Sequence, residues 1–231
     1  ISAQVSANVE AGFSIIKYTA PSGGGGTVGH GLSKKPEIQW SKNLDKSQNT
    51  SVQFTSKSPV FSGSNDNMYM FLNTSAERGD TSEYFTATTN KNPEGGVHAG
   101  DSIMIYTWHS VPGYSRIGTY MGNGSTSGPF VYCGFRPAWI LIKNTSLGQP
   151  WVLMDNKINP YNLADTRLSP SSADGDHTSG DNYIDFLADG FKVRSGSSTD
   201  INYSTTYINH VYMAFAEQSG ATPFNMFPNA R

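Results

Sequence analysis

The sequence predicts an all-β chain made of two tandem antiparallel β-sandwich units, jelly-roll or lectin-like. Three observations carry that expectation. Only 15% of the 231 residues are charged, whereas 12% are aromatic and 24 are glycine. Such a chain lacks the Ala, Leu, Glu and Lys that long helices need, and it holds too many rings to stay disordered. Apolar and polar residues alternate with period two in several segments, as half-buried strands require. The framework segments also occur twice, about 100 residues apart.

The elements follow in chain order. Gly12-Phe13-Ser14 opens an alternating strand through Tyr18, and Gly113-Tyr114-Ser115 opens its counterpart through Tyr120. Each runs into a Gly-rich turn, Gly23–Gly26 in the first copy and Gly122-Asn123-Gly124 in the second. Val28-Gly29-His30-Gly31-Leu32 then matches Val131-Tyr132-Cys133-Gly134-Phe135. The clearest match is Pro36 to Asn43 against Pro137 to Asn144; both end in Lys-Asn, at an offset of 101 residues. In the first, Ile38 and Trp40 alternate with Glu37, Gln39 and Ser41, which predicts an inward Trp40 and outward Gln39. In the second, Trp139 to Ile142 is continuously apolar, which predicts burial on both faces. Asp185 to Val193 reads as strand, Asp-Gly turn, strand. The copies close with Ile105 to Ser110 and Tyr212 to Glu217.

These matches set the expected domains: 1–11 a linker, 12–112 the first β-sandwich repeat, 113–219 the second, and 220–231 a tail. Segments 44–98 and 145–205 diverge and are rich in Asn, Ser, Asp, Gly and Thr. They read as short strands joined by surface loops, where binding residues concentrate and where drift is tolerated. The chain opens on Ile1 with no signal-like apolar segment, and it is expected to be a piece of a longer protein.

Several function classes are excluded. A net charge of −2 with scattered basic residues argues against a nucleic-acid partner. No apolar run nears the roughly 18 residues of a spanning helix, so membrane insertion is not expected. Cys133 is alone, which rules out an intrachain disulfide and a cysteine metal cluster.

The strings Gly12 to Tyr18, Gly29-His30-Gly31-Leu32, Gly134 to Lys143 and Val211 to Glu217 resemble a repeated β domain of phage tail-fibre and other virion structural proteins, especially of aquatic phages. Residues Gly122 to Ala138 follow that family's typical text closely, with Cys133 where Thr is usual, and the ending Ala230-Arg231 is similar too. The resemblance covers residues 12–43 and 103–231. It implies a location in the virion, in a tail fibre or similar appendage, and host attachment. It further implies a homotrimer among other virion proteins, with a bacterial surface polysaccharide as receptor. It transfers no catalytic residue.

The residues themselves point the same way. Loop-borne Tyr69, Tyr161, Tyr183 and Tyr203, with Trp151 and Asn182, pair rings with amides. A ring covers the apolar face of a sugar while an amide bonds its hydroxyls. The stretch around Asp174, Asp176 and Asp181 gathers oxygen ligands of the kind Ca²⁺ prefers, although without EF-hand spacing, and a plain polar loop is the favoured reading. His30, between two glycines, is either a contact residue or a strand-end histidine closing a turn. Ser14 and Lys17 fit a Ser-x-x-Lys spacing but fall on a strand, not a helix. Asp185 and Asp189 would serve a glycosidase only if folded about 5–9 Å apart. No catalytic motif or cofactor motif is present, so a non-enzymatic adhesin without cofactor is expected. A structural spacer and a polysaccharide depolymerase are the alternatives. The five Asn-x-Ser/Thr triplets, at Asn49, Asn73, Asn123, Asn144 and Asn202, are read as chance.

Overall fold

The computed structural model describes residues 1–22, 26–55, 67–80, 89–91, 98–173, 175, 177–178, 183–196, 198–206 and 210–217. Among the described residues there is no helix, and every pairing between strands is antiparallel. The chain divides into two compact units, one drawn mainly from 1–110 and one mainly from 111–231, with Thr74–Glu77 belonging to the second.

The first unit holds β1 (Ala3–Asn8), β2 (Phe13–Thr19), β3 (Thr27–Gly29), β4 (Ile38–Asn43), β5 (Ser51–Thr55), β6 (Asn67–Phe71), β7 (Gly79–Asp80), β8 (Thr89–Lys91) and β9 (Ser102–Trp108). Its large sheet has the order β1-β2-β9-β4-β5-β6-β7, and β3 pairs with β8. Ile16 and Tyr18 of β2, Ile103 and Ile105 of β9, and Val28 of β3 share one core cluster, so the small ribbon packs on the large sheet.

The second unit holds β10 (Ser115–Tyr120), β11 (Phe130–Tyr132), β12 (Pro137–Asn144), β13 (Val152–Asp155), β14 (Thr166–Arg167), β15 (His177–Thr178), β16 (Ile184–Leu187), β17 (Gly190–Val193) and β18 (His210–Ala216). One sheet runs β10-β18-β12-β13 and another β11-β17-β16. Ile140, Ile142, Val152, Met154, Tyr212 and Ala214 of the first meet Val131, Ile184, Phe186, Phe191 and Val193 of the second in a single core. The arrangement is β-sandwich-like. Each fully buried large apolar side chain contributes roughly 1.5–3 kcal/mol.

Local chemistry explains several elements. Gly12 (φ 62°) and Gly113 (φ 74°) stand just before β2 and β10, in the left-handed region where side chains are strained. β12 is buried on both faces at Ile140, Leu141 and Ile142, as its unbroken apolar run predicts. The Asp185–Val193 hairpin is also present, with Leu187 opposite Gly190 across a two-residue loop. Gly190 therefore opens β17 rather than sitting in the turn. A Cβ there would lie 2.1 Å from the Val131 carbonyl oxygen, so close approach of β11 demands glycine.

β4 departs from its expected phase. Gln39 and Ser41 are buried and Trp40 is half-buried. β4 lies between β9 and β5 in the sheet and carries buried residues on both faces, and Gln39 stands opposite Gln53 and Thr107. These polar residues form a buried stripe, in which Gln53 Nε2 donates to Ser51 Oγ and Thr107 Oγ1 donates to the Ile38 carbonyl at 3.3 Å. Trp40 instead joins Phe13 around Trp108, each with ring centroids 4.9 Å from it. Period two alone cannot assign a face to a strand that is covered on both sides.

The Lys-Asn ending of the repeated segment acts as a loop clamp in each unit. Lys42 Nζ donates to the Gln48 carbonyl, and Asn43 Oδ1 accepts from Asp45 N at 3.0 Å. In the second unit Lys143 Nζ donates to the Leu147 carbonyl at 3.4 Å, and Asn144 Oδ1 accepts from Ser146 N at 2.8 Å. The Asn amide then reaches across, to Asp101 from Asn43 and to the Thr199 carbonyl from Asn144.

Candidate functional site

In the second unit, the outer face of β11-β17-β16 gathers exposed rings and cations. Val131 turns into the core, so its neighbours turn out: Phe130 is 50% exposed and Tyr132 is 62% exposed. Phe130 stands opposite Lys192 of β17, and Lys192 stands opposite Asp185 of β16. Beyond the hairpin, Arg194 N donates to the Tyr183 carbonyl at 2.8 Å, which extends the pairing by one residue.

Two loops frame this face, and an asparagine side chain fixes each, Asn162 at the surface and Asn202 in the interior. Ala164 pairs in both directions with Ile184 on the edge of β16. Asn162 imitates a strand beside it: its Nδ2 donates to the Phe186 carbonyl at 3.1 Å and its Oδ1 accepts from Phe186 N at 2.9 Å. This places Tyr161, 83% exposed, and Leu163, 45% exposed, at the rim. On the other side Asn202, fully buried, accepts from Asn123 N at 2.9 Å and donates to the Ser125 carbonyl at 2.9 Å. A glycosylation reading of Asn144 and Asn202 fails on burial, since both are fully enclosed.

Between the loops lies a cleft of about 400 Å³ lined by Thr126, Ser127, Leu163, Lys192 and Arg194. That is within the range of about 300–1,000 Å³ for small-ligand pockets. Lys192 Nζ donates to the Gly128 carbonyl at 2.9 Å, and Arg194 is paired with Asp185 at 2.7 Å. The charged side chains are thus held in place by local partners while remaining at the surface. Rings, cations and hydroxyl-bearing loops suit reversible binding of a polar polymer.

The chain's comparison with family models decides its membership. A model described as Domain of unknown function (DUF7483) matches residues 1–219. The chain belongs to that family. A single DUF7483 match therefore spans both compact units. No curated protein and no solved structure matches the chain.

The sequence-predicted residues fall in different places. Tyr161 is exposed two residues before Leu163 of the cleft lining, and Tyr183 neighbours Arg194 through its backbone. Tyr69 is in the first unit, half-buried, its ring 5.8 Å from Phe71 and covering Gly79. Tyr203 is half-buried, its carbonyl packed against Gly122. Trp151 needs correction: it is 2% exposed, so its ring is core and offers no face to a sugar. Asn182, Asp174, Asp176 and Asp181 lie outside the described residues. Among the described residues no group of three or more His, Cys, Asp or Glu could hold a metal ion.

The remaining candidates resolve into structural roles. His30 is buried and its Nδ1 accepts from Leu32 N at 3.0 Å, which closes a turn. Ser14 is buried and Lys17 exposed, on opposite faces of β2. Asp185 serves Arg194. His210 and Lys143 are both fully buried. Burial, and then the Lys143 charge, push the His210 imidazole down to about 3, and its ring stacks on Tyr120 at 4.7 Å. These groups are enclosed in the core, out of reach of a polymer.

Phe130, Tyr132, Leu163, Lys192 and Arg194 escaped the sequence reading. The repeat itself contained the signal. Val28 and Val131 match and are both buried, but the residues flanking Val28 are Thr27 and Gly29. Two large rings appear in one copy only, at positions that alternation turns outward.

Proposed function

We propose that the chain is a non-enzymatic adhesin of a phage tail fibre or similar virion appendage, which recognises a bacterial surface glycan through the outer face of β11-β17-β16. The observation that carries this reading is the exposed pair Phe130 and Tyr132 beside Lys192, where the first unit has Thr27 and Gly29. Exposed rings on a rigid sheet supply apolar area at low entropic cost, and neighbouring polar groups supply direction. The virion setting, the homotrimer and the other virion proteins as neighbours rest on the family resemblance.

In the same proposal the two units are tandem β-sandwich repeats. The strand order β2-β9-β4-β5 has the same pattern as β10-β18-β12-β13, and β3-β8 the same as β11-β17. Gly31 (φ 70°) and Gly134 (φ 82°) add a second matched glycine pair. The first unit, lacking the ring pair, acts as a spacer.

Host-cell adsorption and a glycan array test the reading with the full chain, a Phe130→Ala/Tyr132→Ala variant and a Thr27→Ala control. The ring variant should lose about tenfold or more in affinity, equivalent to about 1.4 kcal/mol. The control should bind normally. Unchanged binding by a folded ring variant rejects this face as the site.

A further inference from the structure

We infer that the cleft beside this face selects acidic polysaccharides carrying uronate carboxylates over neutral ones. The inference rests on the glycan-binding reading and names its substrate class. Among the described residues, Lys192 and Arg194 are the charged ones lining the cleft. Asp185 pairs with Arg194 and stands opposite Lys192, which leaves a net charge of +1 among these three described residues. The Arg194 side chain is 45% exposed and that of Asp185 only 14% exposed, so the positive end faces solvent.

The hydrogen-bonding capacity points the same way. One guanidinium nitrogen, Nη1, donates to Asp185 Oδ2 at 2.7 Å. A guanidinium has five N–H donors in a rigid fork, so donors remain for a second carboxylate, and the fork is already oriented. Lys192 spends a donor on the Gly128 carbonyl at 2.9 Å and has two more. Leu163 supplies an apolar wall, and Phe130 lies across from Lys192 on the neighbouring strand. A uronate ring presents both chemistries together, an apolar C–H face and a carboxylate at its edge. A neutral hexose presents only the first and would leave the net positive charge of the three side chains unmatched.

Affinity gel electrophoresis of the full chain, with alginate, dextran or polyglutamate in the gel, tests this. Alginate is a polyuronate, dextran a neutral glucan, and polyglutamate a carboxylate polymer without sugar rings. Alginate should retard the protein at least about tenfold more strongly than either other polymer, and salt should weaken the effect. Lys192→Gln/Arg194→Gln, with folding checked by thermal melt, should lose about tenfold for alginate and nothing for dextran. Equal retardation by alginate and dextran overturns the acid selectivity and leaves the glycan reading standing. Equal retardation by alginate and polyglutamate overturns it as charge attraction alone. Wild-type alginate binding by the folded charge variant overturns the role of this cleft. Retardation by neither polysaccharide overturns the inference, and the glycan array and host-cell adsorption decide the reading beneath it.

Discussion

Replacing Lys143 with Met should change how stability responds to pH. Lys143 is fully buried, and its ammonium donates to the carbonyls of Asn144 at 2.8 Å, Ser75 at 3.3 Å and Leu147 at 3.4 Å. Burial pulls the amine from 10.5 down to about 8, against smaller opposing pulls from Asp200 and Glu77. Below pH 8 the amine is charged whether the chain is folded or not. Between 8 and 10.5 the unfolded chain binds the extra proton, so stability rises with pH across that window. Each pH unit is worth about 1.36 kcal/mol, which gives the wild type about 2 kcal/mol between about pH 7 and about pH 9.5. Lys143→Met removes the titration and leaves three carbonyls without their donor, at about 1–3 kcal/mol each. Removal of the buried charge returns about 3 kcal/mol of this at neutral pH. The variant should therefore start a few kcal/mol less stable, and its deficit should widen by about 2 kcal/mol by about pH 9.5. Urea unfolding followed by tryptophan fluorescence, at matched pH values for both proteins, measures the difference. Other titrating groups, such as Cys133 and Tyr120, cancel in it. A deficit that stays constant with pH would refute the reasoning.

Four further outcomes are expected. Gly190→Ala should cost about 1–3 kcal/mol in thermal unfolding, because its Cβ meets the backbone oxygen of Val131 at 2.1 Å and neither strand can yield freely. Trp151→Ala should cost about 3–5 kcal/mol, as for other buried large-to-small changes, while leaving glycan binding intact in the folded fraction. Asp101 is held at about 2, first by the His98 N–H and then by Lys46, with a further hydrogen bond from Asn43. Its contribution is present above the ordinary value of 3.8 and lost as pH falls towards 2, so Asp101→Asn should flatten acid unfolding in that window. Burial pushes the Cys133 thiol up to about 12, so an Ellman assay at about pH 8 should detect it only after unfolding.

The all-β class was legible in the sequence because it depends on composition and on local alternation. The hairpin at Asp185–Val193 and the doubly buried β12 were legible for the same reason: neighbouring residues along the strand decide them. Matched glycines at Gly12 and Gly113 were visible as text, and their left-handed φ supplies the cause. Only the tertiary structure decided what covers each face. Gln39 and Trp40 exchanged their expected roles because β4 is enclosed on both sides, and Trp151 became core although a loop precedes it. The candidate site was hidden for a related reason. Phe130, Leu163 and Lys192 are far apart in the chain and meet only when β11 joins β17 and Asn162 ties its loop to β16. Chain order carries the pattern of strands, whereas the partners of an outward side chain come from strand pairing across long sequence separations.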